Sequence, residues 1–168
     1  MRAGLFGLTT ITAAAVAVIV VAGPANAAVS ISAPTSATLG SAATGSSTLS
    51  AQLGTITVTA TGVVAPSFVS TVSASNFTTG SQTANETVAK SAISYWSGPA
   101  TSTSGLATTT PGQLTAAQAV SLSMSRTAFS GTGLLLSISA SWNPTIVVNV
   151  PATAVAGTYS GTITHSVA

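Results

Sequence analysis

Hydrophobic and polar residues alternate with a period of two along much of the chain, the pattern of strands that bury one face and wet the other. In Gly54–Thr61, Ile56, Val58 and Ala60 share one side while Thr55, Thr57, Thr59 and Thr61 share the other. The segment Ala119–Met124 sets Val120, Leu122 and Met124 against Ala119, Ser121 and Ser123. Leu134, Leu136, Ile138, Ala140 and Trp142 form one face of the next run, opposed mainly by serines. Ile146, Val148 and Val150 continue the pattern, and Tyr159, Ile163, His165 and Val167 share a face of the last predicted strand. Less regular strands are expected at Val29–Ser32, Phe68–Ser75 and Ile93–Trp96.

Turn-forming clusters separate these runs: Gly40–Ser47, Thr78–Gly80, Gly98–Gly105, Pro111-Gly112 and Gly131–Gly133. Short strands at this spacing, each with one apolar face, predict an all-β antiparallel sandwich of immunoglobulin-like type with two facing sheets. Helix is almost absent from the pattern. Asn85–Lys90 is the best candidate, with Glu86 and Lys90 four residues apart, although a solvated pair of little energetic weight is the simpler reading. Pro151–Ala156 is a candidate for one helical turn, and the low-complexity stretch Gly98–Gly112 for a long surface loop. No internal repeat is evident.

Composition narrows the picture. Only 2% of residues are charged while 46% are hydrophobic, so the chain lacks the signature of disorder. Ser and Thr supply 55 of the 168 residues and fill the polar strand positions, as suits hydroxyl-covered sheets. Cysteine is missing, which removes disulfides, thiolate metal sites, cysteine nucleophiles and a lipoprotein anchor. The fold must therefore rest on burial and backbone pairing.

Residues 1–27 carry the layout of an export signal. Arg2 precedes an apolar stretch running to Ala22, then come Gly23-Pro24 and the small-x-small triplet Ala25-Asn26-Ala27. Cleavage after Ala27 is expected. It leaves a single domain over 28–168 with no later hydrophobic span, and a product that is secreted, extracellular or cell-wall-associated.

After removal of that segment the ionisable groups are Glu86, Lys90, Arg126 and His165. One carboxylate cannot make a general acid–base pair, no Asp is available for a Ser-His-Asp arrangement, and no G-x-S-x-G elbow occurs. Two cations are too few to neutralise a nucleic-acid backbone, and one His with one Glu cannot complete a metal shell. The chain therefore reads as non-enzymatic, without cofactor or metal. His165, on the apolar phase of the last strand, reads as a partly buried, hydrogen-bonded residue, with a ligand contact as the alternative. Tyr95 and Trp96, where a strand meets Ser97-Gly98-Pro99, are the candidate recognition surface, and closure of the core by Tyr95, Trp96 and Trp142 is the structural alternative.

Three ordered segments, Ser73–Gly80, Ser94–Gly105 and Ser141–Ala168, resemble secreted actinobacterial proteins of the WxL-like type, over roughly Gly54 to Ala168. WxL domains carry a proximal W-x-L and a distal Y-x-x-x-L-x-W-x-L. The proximal positions fall on Phe68 and Ser70, with Phe for Trp and Ser for Leu. The distal positions fall on Tyr159, Ile163, His165 and Val167, with His for Trp. The resemblance implies a β-sandwich fold and association with the cell wall. Expected partners are cell-wall glycan or another surface protein. Self-assembly into an extracellular fibre or adhesin, and a carbohydrate-binding module using Tyr95 and Trp96, are the alternatives.

Overall fold

The computed structural model describes residues 8–14, 28–43, 47–62, 65–105 and 107–168. Its first strands are β1 (Leu8–Ala14), β2 (Ala28–Ser32), β3 (Ser36–Ala43), β4 (Ser47–Gln52), β5 (Ile56–Thr61) and β6 (Ser67–Ala74). The middle of the chain gives β7 (Phe77–Thr78), β8 (Thr87–Val88), β9 (Ile93–Trp96), β10 (Ala100–Ser104), β11 (Thr108–Pro111) and β12 (Val120–Ser121). Then follow β13 (Arg126–Thr132), β14 (Ser137–Trp142), β15 (Thr145–Val150), β16 (Thr158–Gly161) and β17 (Ile163–Val167). Three short 3-10 turns, at Ala84–Glu86, Lys90–Ala92 and Ala116–Gln118, are the helical elements among the described residues. None of them is long and apolar enough to cross a membrane.

The strands form four sheets, with orders β3-β1-β16-β7-β8, β10-β14-β5-β2, β11-β13-β6-β17 and β12-β9-β15-β4. All pairings are antiparallel except that of β1 with β16. The expected all-β antiparallel sandwich is thus present, divided into four sheets rather than two. The second and third sheets approach along β2 with β17 and β10 with β11, and β3 of the first lies beside β4 of the fourth. One core runs between them, where Phe129 of β13 stacks on Trp142 of β14 with ring centroids 4.6 Å apart and planes 9° from parallel.

Alternation predicts β5 and β15 well, because each has a partner on both sides and buries alternate residues, and the less regular Ile93–Trp96 also forms a strand, β9. Elsewhere the pattern overruns the pairing. Leu134 and Leu136 do not extend β14: they are 81% and 66% exposed in the loop before it. The β5–β14 ladder has Thr61 opposite Ser137 as its last rung, with the Gly62 amide donating to the Leu136 carbonyl just beyond it at 2.9 Å. Met124 likewise leaves the apolar face, since β12 ends at Ser121 and the Ser121 hydroxyl accepts from the Ser123 amide, turning the chain out. The predicted last strand is two. The Thr162 amide donates to the Ser75 hydroxyl at 2.9 Å, and there the chain passes from the first sheet (Tyr159) to the third (Ile163, His165, Val167).

Two expected irregular regions are ordered. Gly98–Gly112 is not one long loop, because Ala100–Ser104 pairs with β14 and Thr108–Pro111 with β13. Gly40–Ala43 belongs to β3 rather than a turn. The helical candidate Asn85–Lys90 holds parts of two 3-10 turns with β8 between them, and Glu86 turns back to accept from the Thr83 amide and hydroxyl at 3.0 and 2.8 Å. Pro151–Ala156 makes a single turn closed by the Ala154 amide on the Pro151 carbonyl. Within the expected export segment, Leu8–Ala14 forms β1, while the Ala25-Asn26-Ala27 triplet lies outside the described residues.

Close strand contact at Gly131 gives a test of the core packing. Gly131 stands opposite Phe68 in the β13–β6 ladder, and a Cβ added there would lie 2.5 Å from the Phe68 ring. Gly131→Ala is expected to lower stability by about 1–3 kcal/mol through overpacking, as read by urea denaturation.

Candidate functional site

The sequence places its few polar aromatic groups on apolar strand phases, and folding draws three of them together. Tyr95 comes from β9, Trp142 from β14 and His165 from β17, so each belongs to a different sheet. The Trp142 indole Nε1 donates to the Tyr95 hydroxyl at 3.3 Å, and that oxygen lies 3.3 Å from His165 Nε2. With the Trp142 bond accepted, the Tyr95 hydroxyl can offer its own proton to Nε2 when the imidazole carries its proton on Nδ1. The Tyr95 and His165 rings pack with centroids 5.7 Å apart, tilted by 55°.

All three side chains are fully buried. Burial raises the Tyr95 phenol well above its ordinary range, against a smaller lowering by the Trp142 bond. Burial also pushes His165 from its ordinary 6.5 down to about 4. At neutral pH the cluster is uncharged and shut off from solvent. It therefore acts as a polar clamp across three sheets and offers no surface for substrate.

The resemblance positions are core as well. Phe68, Ser70, Tyr159, Ile163, His165 and Val167 are all buried. The fold brings the proximal and distal sets side by side, since Val167 pairs with Ser70 and His165 with Val72 across the β6–β17 ladder. Tyr159 stands apart in the first sheet, its hydroxyl shared between the Asn85 and Val155 carbonyls at 3.1 and 3.0 Å. The Ser70 hydroxyl is buried without a hydrogen-bond partner, a residual cost inside the core.

Of the tentative recognition pair, Tyr95 is a core residue and only Trp96 reaches the surface. Trp96 lies against Gly98, whose φ of +72 turns the chain toward Gln113. The Ser97 hydroxyl donates to the Gln113 carbonyl and accepts from the Gln113 amide, at 2.9 and 3.1 Å, fixing that corner. Glu86 is held below the usual carboxylate range by the Thr83 backbone bond first and the Thr83 hydroxyl second. Among the described residues, no three of His, Cys, Asp and Glu come together to hold a metal ion.

A feature that alternation alone could not assemble is the outer face of the second sheet. Strand register aligns Ser30, Thr59, Ser139 and Ser104 across β2, β5, β14 and β10. The next row aligns Ser32, Thr57, Ser141 and Ser102. Neighbouring strands are about 4.8 Å apart and rows of one face about 7 Å apart, so these hydroxyls form a two-row grid. Two contacts within it are direct, Thr57 to Ser141 at 2.9 Å and Ser104 to Ser139 at 2.8 Å. The reverse side of β5 and β14 carries Ile56, Val58, Ala60, Ile138, Ala140 and Trp142, all buried. The signal for the grid is present in the sequence as Ser/Thr on the polar phase, but only the register joins the rows. The chain matches no protein-family model and no curated protein.

Three outcomes follow from the clamp and the orphan hydroxyl. Because the folded pKa of His165 is depressed, stability is fully present above pH 6.5 and falls as the pH drops toward 4, by about 3 kcal/mol in all. Denaturation midpoints across that window should show the fall, and His165→Leu should flatten it. Ser70→Ala is expected to be neutral or stabilising in the same assay, whereas Tyr95→Phe should cost about 1–3 kcal/mol by stranding the Trp142 and His165 nitrogens.

Proposed function

We propose that this chain is a non-catalytic, secreted β-sandwich of the cell surface or cell wall, which makes its contacts through neutral, hydroxyl-bearing faces. The observation that carries the reading is the grid of Ser and Thr side chains on the second sheet, backed by an apolar core. An array of donors and acceptors without charge suits a neutral polysaccharide, whose own hydroxyls can meet it directly or through water. The leader-like residues 1–27 and the WxL-like ordered segments support a place outside the cell and near the wall. His165 and Tyr95, the groups best suited to proton transfer, are enclosed and bonded to one another, which supports a non-catalytic role.

Assembly with other copies is the second reading, favoured by edge strands such as β10 and β11, each paired on one side only. A carbohydrate platform at Trp96 would rest on that ring without Tyr95. Binding to purified cell wall tests the leading reading: the exported protein should sediment with wall material above a control protein. Ser102→Glu with Ser104→Glu, both on the exposed edge of the grid, should abolish retention while leaving thermal unfolding unchanged. Equal retention of that variant would remove the grid as the contact face, and loss on Trp96→Ala alone would move it to Trp96.

A further inference from the structure

Strand β1 lies inside the first sheet, parallel to β16 on one side and antiparallel to β3 on the other. It also lies within the segment expected to be removed after Ala27. This inference rests on that leader reading. Cleavage would take out a strand bonded along both edges and leave β3 and β16 facing each other across a gap one strand wide.

The chain holds a close copy of the missing strand at the end that cleavage creates. Thr9-Thr10-Ile11-Thr12-Ala13 in β1 matches Val29-Ser30-Ile31-Ser32-Ala33 in and just after β2: Val for its isostere Thr, Ser for Thr twice, and Ile and Ala unchanged. Ile11 takes register opposite buried Tyr159 and opposite Gly40, and Ile31 falls in the same place when the segments are superposed. Direction and connection agree as well. The β1–β3 ladder pairs Ala13 with Ala37, so a relocated Ala33 would pair with Ala37 and leave Pro34-Thr35-Ser36 as a three-residue hairpin loop. Proline presets the first turn position of such a loop.

We propose that removal of the leader lets β2 leave the edge of the second sheet and fill the place of β1 between β3 and β16 of its own chain. In its present place β2 pairs with β5 alone, whereas in the vacated place it gains two ladders for the one it gives up. The short connection to β3 keeps the exchange within one molecule, since a strand from a second copy would also lose translational and rotational freedom. The hydroxyl grid then retains its rows on β5, β14 and β10, and β5 becomes the free edge of that sheet.

The test uses the chain exported from its own gene product, with the amino terminus read by mass spectrometry. The protein has no cysteine, so paired substitutions report position cleanly. Ser30→Cys with Thr158→Cys, both exposed, stand at adjacent parallel positions after the exchange, because Thr10 is the register partner of Thr158. Ser30→Cys with Thr59→Cys are partners only while β2 stays on β5. A product starting at Ala28 should close the first pair within a monomer and leave the second reduced. In the unsubstituted protein, hydrogen exchange should show protected amides in β3 and β16 and loss of protection along β5. Closure of the second pair only, with fast exchange in β3 and β16, would overturn the exchange and leave the leader reading intact. A disulfide between two copies would assign the place to a second chain and overturn it too. A product still carrying Leu8–Ala14 would overturn the leader reading, and the inference with it.

Discussion

With no cysteine and almost no charge, this chain has burial and backbone pairing as its means of cohesion, and the core must join four sheets while finding partners for the polar groups it encloses, a cost it still bears at the Ser70 hydroxyl. The Tyr95 hydroxyl meets that constraint. It accepts from the Trp142 indole N–H and faces His165 Nε2, so the polar ends of three large side chains meet at one point where three sheets converge. Phe129 stacked on Trp142 continues the contact through apolar surface. Removing the hydroxyl leaves two buried nitrogens without a partner. Adding a proton to His165 introduces a charge where no water reaches.

The constraint also explains which residues can face outward. Tyr95 and His165 are spent inside, Glu86 and Lys90 sit in the short turns around β8, and the polar strand phases are left mainly to Ser and Thr. Such side chains bond to one another along a sheet, as Thr57 does to Ser141 and Ser104 to Ser139, so the outer face is ordered as well as wet. The proposed role at the surface or wall follows from that division: a sealed interior, and an exterior of neutral donors and acceptors. The proposed strand exchange belongs to the same logic, because in a chain held by ladders an unpaired edge is the most costly thing to leave open.

Much of this fold is legible from the period of two. Strands with neighbours on both sides, such as β5 and β15, bury alternate residues and announce themselves. The pattern misleads where it continues past the end of a partner: Leu134 and Leu136 keep the phase of Ile138, yet they protrude beyond the last rung of the β5–β14 ladder, Thr61 opposite Ser137. It is silent where both faces are polar, so edge strands β10 and β11 look like loop. His165 is legible on the apolar phase of its strand. Its partner Tyr95 is 70 residues away and Trp142 is 47 from Tyr95, distances no local pattern can bridge. The hydroxyl rows are hidden for the same reason, since four strands from distant parts of the chain supply one residue each.

The uncharged grid carries one more consequence. A charged surface gathers small ions, and a ligand that docks on it is bound partly by setting those ions free, so its grip loosens as salt rises. The Ser and Thr face of β5, β14 and β10 holds no such atmosphere to release. Whatever it touches must be gripped by distance and direction alone, through displaced water rather than displaced ions, and the grip is therefore indifferent to salinity.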